Sequence, residues 1–267
     1  MDHLLRALAP LSEAGWAETE AEATRSLRNY LAGRKLLDYS ASGGWQRSSR
    51  GLGRIEQVSQ AGAAVQMANR VSAPMTELRA DFSLRRDALA DLDRGATDFD
   101  TQPVIDAARA AAEAEDDAIF AGNTAAGISG LIAKTPNAAI PIDQSLSRFA
   151  HDVARAIDQL QELGIEGPYA IAMGPRCWTA VMESAESGGY PLLKHLRLLL
   201  SGPVVWAPTL AGALVVSQRG GDYEIVGGQD WVIGYDSCDA DQVNLYLQSS
   251  FTFVINTPEA AVPLAFA

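Results

Sequence analysis

Residues 50–84 constrain the fold more than any other stretch. In TELRADFSL, Thr76, Leu78, Ala80, Phe82 and Leu84 share one face and Glu77, Arg79, Asp81 and Ser83 share the other. That is the period-two pattern of a strand with one buried face. Val65, Met67 and Val71, with Asn69 among them, predict a weaker strand beside it. Together they predict a long two-stranded excursion with polar edges. A ribbon like that is marginally stable in water by itself. It must pack on something, and another subunit is a candidate.

The rest of the 267 residues mixes helix and strand. Residues 11–32 predict a helix, with Ser12 as cap after Pro10, Leu27 and Leu31 as an apolar i, i+4 pair beside Tyr30, and Gly33 as the stop. DYSASGGWQRSSRGLGR (38–54) is rich in Gly, Ser and Arg and reads as a loop or arm. TQPVIDAARAAAEAEDDAIFAGN (101–123) predicts a long Ala-rich helix capped by Thr101, with Pro103 in its first turn and Val104, Ile105, Ala108, Ala112, Ile119 and Phe120 as apolar contacts. Leu146, Phe149, Val153, Ile157 and Leu160 stripe a second helix over 143–163. GIEGPYAIAMGP (164–175) reads as turn, buried strand, turn, and a third helix covers 176–186. The C-terminal third is mostly strand. GALVVSQRGGDYEIVGG predicts a hairpin with Gly220 and Gly221 near its turn, DWVIGY a short strand, and VNLYLQSSFTFVI alternates Val243, Leu245, Leu247, Phe251, Phe253 and Ile255 on one face. The order is that of an α+β protein.

The formal charge of −12 argues against a nucleic-acid binder, which needs a basic face, and against docking on anionic lipid. No run approaches the roughly eighteen apolar residues of a membrane span. The start, MDHLLRALAPLSEAGW, does not read as a secretory signal. Cys177 and Cys238 lie far apart and in no CxxC spacing, so a cytoplasmic chain with reduced thiols is expected.

A search for chemistry finds no assembled site. His3, His151 and His195 form no metal pair, and no G-x-S-x-G elbow, P-loop or HExxH is present. Cys177 beside Trp178 on a predicted helix reads as a buried inert thiol rather than half of a dyad with His151 or His195. RGLGR (50–54) lacks the strand-then-helix context of a phosphate cradle and reads as a flexible basic loop. In AEAEDDA (112–118), Glu113, Glu115, Asp116 and Asp117 could gather a cation, but a solvated or interface face is the better reading. YDSCDADQ (235–242) puts Asp236, Cys238, Asp239 and Asp241 close together, yet lacks the Gly and distal Glu of a calcium loop and the second soft ligand of a transition-metal site. A charged turn between strands is expected there. The chain is therefore read as no enzyme, with no catalytic residue, no metal site and no cofactor.

APLSEAGW, GRKLLDYS, LRADFSL, LDRG, EDDAIFAG, GIEGPYAIAM, GGYPLLK, ALVVSQRGGDYEI, GGQDWVIGY and SFTFVINTPEA run from one end of the chain to the other. In this order and spacing they resemble the family 1 encapsulin shell proteins, the linocin type. The resemblance implies an HK97 phage-capsid-like fold. Residues 1–49 would be the N-terminal helix and arm, 50–84 the extended E-loop, and 85–134 peripheral domain with a spine helix. Residues 135–220 would be the axial domain, and 221–267 the strands that return to the peripheral domain. It implies self-assembly into an icosahedral shell of about sixty subunits or a small multiple. It also implies a cargo enzyme held by its C-terminal targeting peptide. A dye-decolourising peroxidase comes first and a ferritin-like protein second, with iron and oxidative stress as the associated chemistry. The family's peptide groove maps onto Leu27, Leu31, Arg34, Asp38 and Tyr39 on one side and Asp230, Val232, Ile233 and Tyr235 on the other. A pore near the five-fold axis maps onto Glu183, Ser184, Glu186, Ser187, Gly188, Gly189 and Tyr190, with the two glutamates giving it a negative field. Some relatives hold a flavin near an aromatic residue after the LRA.F.L strand. Here RRDALADLDRG (85–95) has none, so no flavin is assigned. A phage-type major capsid protein is the alternative on the same fold. Protease and bacteriocin readings rank below it, for want of a nucleophile–base pair and of a basic membrane-active segment.

Overall fold

The computed structural model describes residues 3–40, 43–58, 65–184 and 190–267. Helix α1 (Glu13–Tyr30) starts where the Ser12 hydroxyl accepts the Gly15 N–H at 3.0 Å, the cap expected from the sequence. Gly33 does not act as a stop but opens α2 (Gly33–Leu36), because the Asp116 carboxylate accepts the N–H groups of Ala32 and Gly33 at 2.8 and 2.9 Å. The expected arm of 38–54 contributes β1 (Asp38–Ser40) and the first half of β2 (Ser49–Gln57). β2 pairs antiparallel with β3 (Ala68–Pro74), and β4 (Thr76–Arg85) follows.

The alternation over 76–84 holds, with Phe82 and Leu84 buried, but its partner differs from the expected one. β4 lies beside residues 242–251, Leu84 opposite Val243 and Phe82 opposite Leu245. Its apolar face is matched by a strand far along the chain, so the ribbon proper is β2 with β3.

Next come α3 (Arg86–Asp93) and the long α4 (Gln102–Phe120). Thr101 makes no side-chain cap on α4; the Asp100 carboxylate takes the Gln102 N–H instead, at 3.0 Å. β5 (Gly122–Asn123), β6 (Ile128–Ser129), α5 (Leu131–Lys134) and β7 (Ile140–Ile142) lead to α6 (Phe149–Glu162). That helix was expected from 143. Residues before it form a turn in which Asp143 accepts the Ser145 N–H at 2.7 Å and Leu146 takes φ 54°, outside helical geometry. β8 (Tyr169–Met173), α7 (Pro175–Glu183), α8 (Leu192–Leu200), β9 (Ser201–Trp206), β10 (Ala213–Ser217), β11 (Tyr223–Gly227), β12 (Val232–Cys238), β13 (Gln242–Ile255) and β14 (Ala261–Phe266) complete the chain.

β10 and β11 are not the expected hairpin. The first sits between β8 and β14 in one five-stranded sheet, ordered β7-β14-β10-β8-β9. The second sits between β1 and β13 in the other, ordered β1-β11-β13-β12 with β4 also on β13. Gly220 and Gly221, at φ 86° and 82°, turn the chain from one sheet to the other. The turn signal is local. Every residue of β10 is buried, so it needs neighbours on both edges, and one hairpin partner cannot supply them.

Two apolar cores result. One gathers Phe149, Met173, Leu196, Leu214 and Val262 around the first sheet. The other gathers Leu27, Leu31, Phe82, Val104, Ile233 and Leu245 between α1, α4 and the second sheet. α4 runs through both. Val104 to Ala112 lie in the second core, and Ala118 to Phe120 in the first.

Candidate docking site

Between those two stretches of α4 stand Glu115 and Asp116, both fully buried. The opposing chain crosses from one core to the other at the same level, with Leu31 in one and Ala32 in the other. Buried acids need partners, since an unpaired one is strongly destabilising. Glu115 has three. The Arg34 guanidinium donates from Nε to Oε1 at 2.6 Å and from Nη2 to Oε2 at 2.8 Å, a two-pronged pair, and the Trp231 indole N–H donates to Oε2 at 3.0 Å. The third prong of Arg34 reaches Asp230 at 2.6 Å, and its plane lies 4.6 Å from the centre of the Tyr39 ring. Burial opposes the Arg34 charge, but the hydrogen bonds and charges of Glu115 and then Asp230 outweigh it and hold its pKa above the ordinary value. Arg34 therefore joins three separate pieces of chain: the α2 turn, α4 and the start of β12.

The structure brings most of the sequence-predicted groove residues around this cluster. Leu27 and Leu31 are 7% exposed and Ile233 is 3% exposed, so they form the floor rather than an open apolar surface. Tyr235 on β12 and Trp231 just before it are half-buried on the Ile233 face, whereas Val232, also half-buried, points to the opposite face of the sheet by strand alternation and is not part of this surface. Asp230 is exposed and also accepts its neighbour Trp231's N–H at 2.8 Å. Asp38 lies apart from the cluster, exposed, accepting the Gly221 N–H at 2.6 Å. β12 ends its sheet, and its outer edge donates the Tyr235 N–H to the Leu4 carbonyl at 2.8 Å. Of the pore candidates, Glu183 ends α7 and is exposed, as are Ser184 and Tyr190. Glu186, Ser187, Gly188 and Gly189 lie outside the described residues.

Sequence reasoning placed the 112–118 acids on a solvated or interface face, and for Glu115 and Asp116 the structure corrects this. A signal was present. Glu115 stands four residues from Ala111 and from Ile119, and Asp116 four from Ala112 and from Phe120, so both lie in line with the buried stripe. Trp231 was also missed, its indole partner lying on a distant helix. The 235–242 stretch is the end of β12 and a hairpin turn into β13, in which Asp239 accepts the N–H groups of Asp241 and Gln242, both at 2.8 Å. Asp236 is tied to Arg79 at 2.8 Å, which with Ser237 holds its carboxyl below the usual range. Among the described residues no three His, Cys, Asp or Glu side chains are placed to hold a metal ion. Cys177 is fully buried, and burial pushes its thiol up to about 11, so it is protonated at neutral pH. Among the described residues no helix is long and apolar enough to cross a membrane.

Residues 1–252 match a protein family described as an encapsulating protein for peroxidase. The chain is 44% identical over 270 residues to a protein of Rhodospirillum rubrum named type 1 encapsulin shell protein, covering 99% of this chain and 96% of that one. Its fold is similar to that of a virus-like particle from Pyrococcus furiosus, with a TM-score of 0.66 at 15% identity over 94% of this chain and 99% of the other. It is also similar to the capsid of the myovirus XM1, with a TM-score of 0.57 at 10% identity over 86% and 90%. The architecture is the HK97-like capsid fold.

Proposed function

Because the chain belongs to the family of encapsulin shell proteins, we propose that it assembles with copies of itself into a closed icosahedral compartment that encloses a cargo enzyme. It is a structural shell protein rather than an enzyme. The observation that carries assembly is the β2–β3 ribbon, whose strand Ser49–Gln57 is exposed at every residue. A second subunit lying under it supplies the cover that this chain does not. Closed symmetry sets the particle at about sixty subunits or a small multiple.

Cargo capture is assigned to the surface between α1 and β12. The family description favours a peroxidase as cargo; a ferritin-like protein is the second candidate. A short C-terminal peptide would lay apolar side chains over Trp231 and Tyr235, above the floor of Leu27, Leu31 and Ile233. Each anchor is worth about 1.5–3 kcal/mol if fully buried, and ordering the peptide costs much of that. Single sites are then weak, and an oligomeric cargo gains by presenting several tails at once. Arg34 sets direction through Asp230 and is held in place by Glu115. The 183–190 segment would line a pore that favours cations.

Electron microscopy and mass spectrometry of purified particles test this reading. Closed shells containing a peroxidase are expected. Tyr235→Glu should leave shells intact and lower the cargo-to-shell ratio about tenfold, the loss of one weak anchor. Intact Tyr235→Glu shells loaded to the wild-type ratio would move the docking surface elsewhere. Shells filled with nucleic acid instead of protein would point to a viral capsid.

A further inference from the structure

Residues 3–8, ahead of α1, lie across the same surface. The Leu4 carbonyl accepts the outward N–H of Tyr235 at 2.8 Å. By strand alternation the N–H and C=O of Ile233 point to that same outer edge. His3 stacks on Trp45 with ring centres 4.1 Å apart and planes 17° from parallel, and its Nε2 lies 3.1 Å from the Gln229 side-chain oxygen. Arg6 lies 4.1 Å above the Trp16 ring and pairs with Glu20 at 2.5 Å. The segment is thus fastened to β12, to α1 and to the loop that carries Trp45.

It is fastened without being packed. None of Arg6–Leu8 is buried, and Leu8 is 67% exposed. Leu5 adopts φ 51°, a left-handed conformation that a leucine rarely takes unless its surroundings impose it. Contacts that are polar, aromatic and exposed belong to the low-stability end of a fold, where local opening is cheap. A peptide that adds to the edge of β12 needs the Tyr235 N–H, which Leu4 already holds.

We propose that residues 3–8 are a releasable strap, an occupant of the β12 edge that the incoming cargo peptide displaces. This rests on the docking surface proposed above. The displaced strap leaves behind the Trp16 face and the Glu20 carboxylate that Arg6 engages. An extended peptide with a cation flanking its apolar residues therefore fits the vacated surface. Competition of this kind lowers apparent affinity by the fraction of subunits whose edge is free.

The test compares assembled shells of the wild type, of a variant lacking residues 2–8, and of Tyr235→Glu, which keeps the backbone N–H at that position. The probe is the labelled C-terminal peptide of the protein that co-purifies with the wild-type shell. The competitor is an unlabelled peptide of this chain's own residues 1–10. A strap in place in about nine-tenths of subunits predicts that its deletion tightens probe binding about tenfold. The competitor should displace the probe from the deleted shell. On intact wild-type shells, probe binding should speed hydrogen exchange of residues 4–8 while the Tyr235 amide stays protected. The double variant His3→Ala, Arg6→Ala keeps the chain length and should shift affinity the same way if the deletion impairs assembly. Unchanged or weaker binding after deletion, with Tyr235→Glu still weakening it, overturns the strap and leaves the docking surface standing. Equal binding by Tyr235→Glu and wild type, with no competition, overturns the docking surface and the strap with it.

Discussion

β8 and β2 are both regular strands, and they gain their stability from opposite sources. Every residue of β8 is buried, and β10 and β9 flank it within its own subunit. Every residue of β2 is exposed, and its one partner is β3, in a sheet of two strands. Ile55 is 66% exposed, and Val65 and Met67, just before β3, are 78% and 63% exposed. Surface of that kind is tolerated when another chain covers it. The sheet that holds β8 is thus complete within one subunit, and the ribbon is left without cover there. Damage to the first should unfold the subunit. Damage to the second should leave the subunit folded and the shell unbuilt.

Removing the ribbon gives the largest effect. Its base is closed by the Met75 N–H donating to the Ser48 carbonyl at 2.9 Å, so a short glycine link from Ser48 to Met75 can replace residues 49–74 without moving either neighbour. Folded, soluble subunits with no closed particles are expected from size-exclusion chromatography, circular dichroism and electron microscopy. Closed shells from this variant would break the comparison. The same subunits make a host for the converse experiment. Phe149→Ala, at a side chain 1% exposed, should cost about 3–5 kcal/mol in urea unfolding. Ile55→Asp in the full chain should change subunit stability by about 0.5 kcal/mol or less while particle yield collapses.

The seam between the cores sharpens the contrast within a single helix. Glu113 pairs with Arg109 at 3.0 Å on the outer face of α4, and Glu115 pairs with Arg34 at 2.6 Å inside. Exposed i, i+4 pairs are worth about 0.3–0.5 kcal/mol, so Glu113→Ala should be nearly silent. Glu115→Ala strands a mostly buried guanidinium and the Trp231 N–H. It should cost about 3 kcal/mol, the low end for a broken buried pair, because Arg34 keeps Asp230. Equal losses from the two substitutions would mean that the seam is wet and that its ion pair does little.

What the sequence discloses about these regions follows from how local each signal is. The alternation in TELRADFSL gave the buried face of β4, because side-chain direction is a property of the strand itself. It could not give the partner, because β13 lies more than 150 residues away along the chain. Gly220-Gly221 marked a reversal correctly and a hairpin wrongly, since a turn does not choose the sheet its strands join. The order of the family's segments put Arg34 and Asp230 on one surface, and the structure pairs them at 2.6 Å. Glu115 and Trp231 stayed hidden for the opposite reason. An acid in an Ala-rich helix looks solvated until the arginine that neutralises it arrives from another element.

Asp116 offers the smallest effect and the one with a definite sign. Burial pushes its carboxyl up to about 7, against the pull of the Gly33 and Ala32 N–H groups; the nearby Glu115 charge adds to the rise and Lys35 opposes it. In the unfolded chain the same group titrates near 3.8. Between those values the folded state binds the proton more tightly, so the contribution to stability is complete below about pH 4 and fades as pH rises to about 7. Asp116→Asn removes this titration and adds a constant cost, because its amide cannot accept both N–H groups as the carboxylate does. The Tm difference between wild type and Asp116→Asn should therefore widen by a few degrees as the pH falls from 8 to 5. Other carboxylates titrate alike in both proteins and cancel in the difference. A gap that stays constant over that range would show that the two backbone donors hold Asp116 ionised throughout, and that the α2 turn rests on a permanent buried charge.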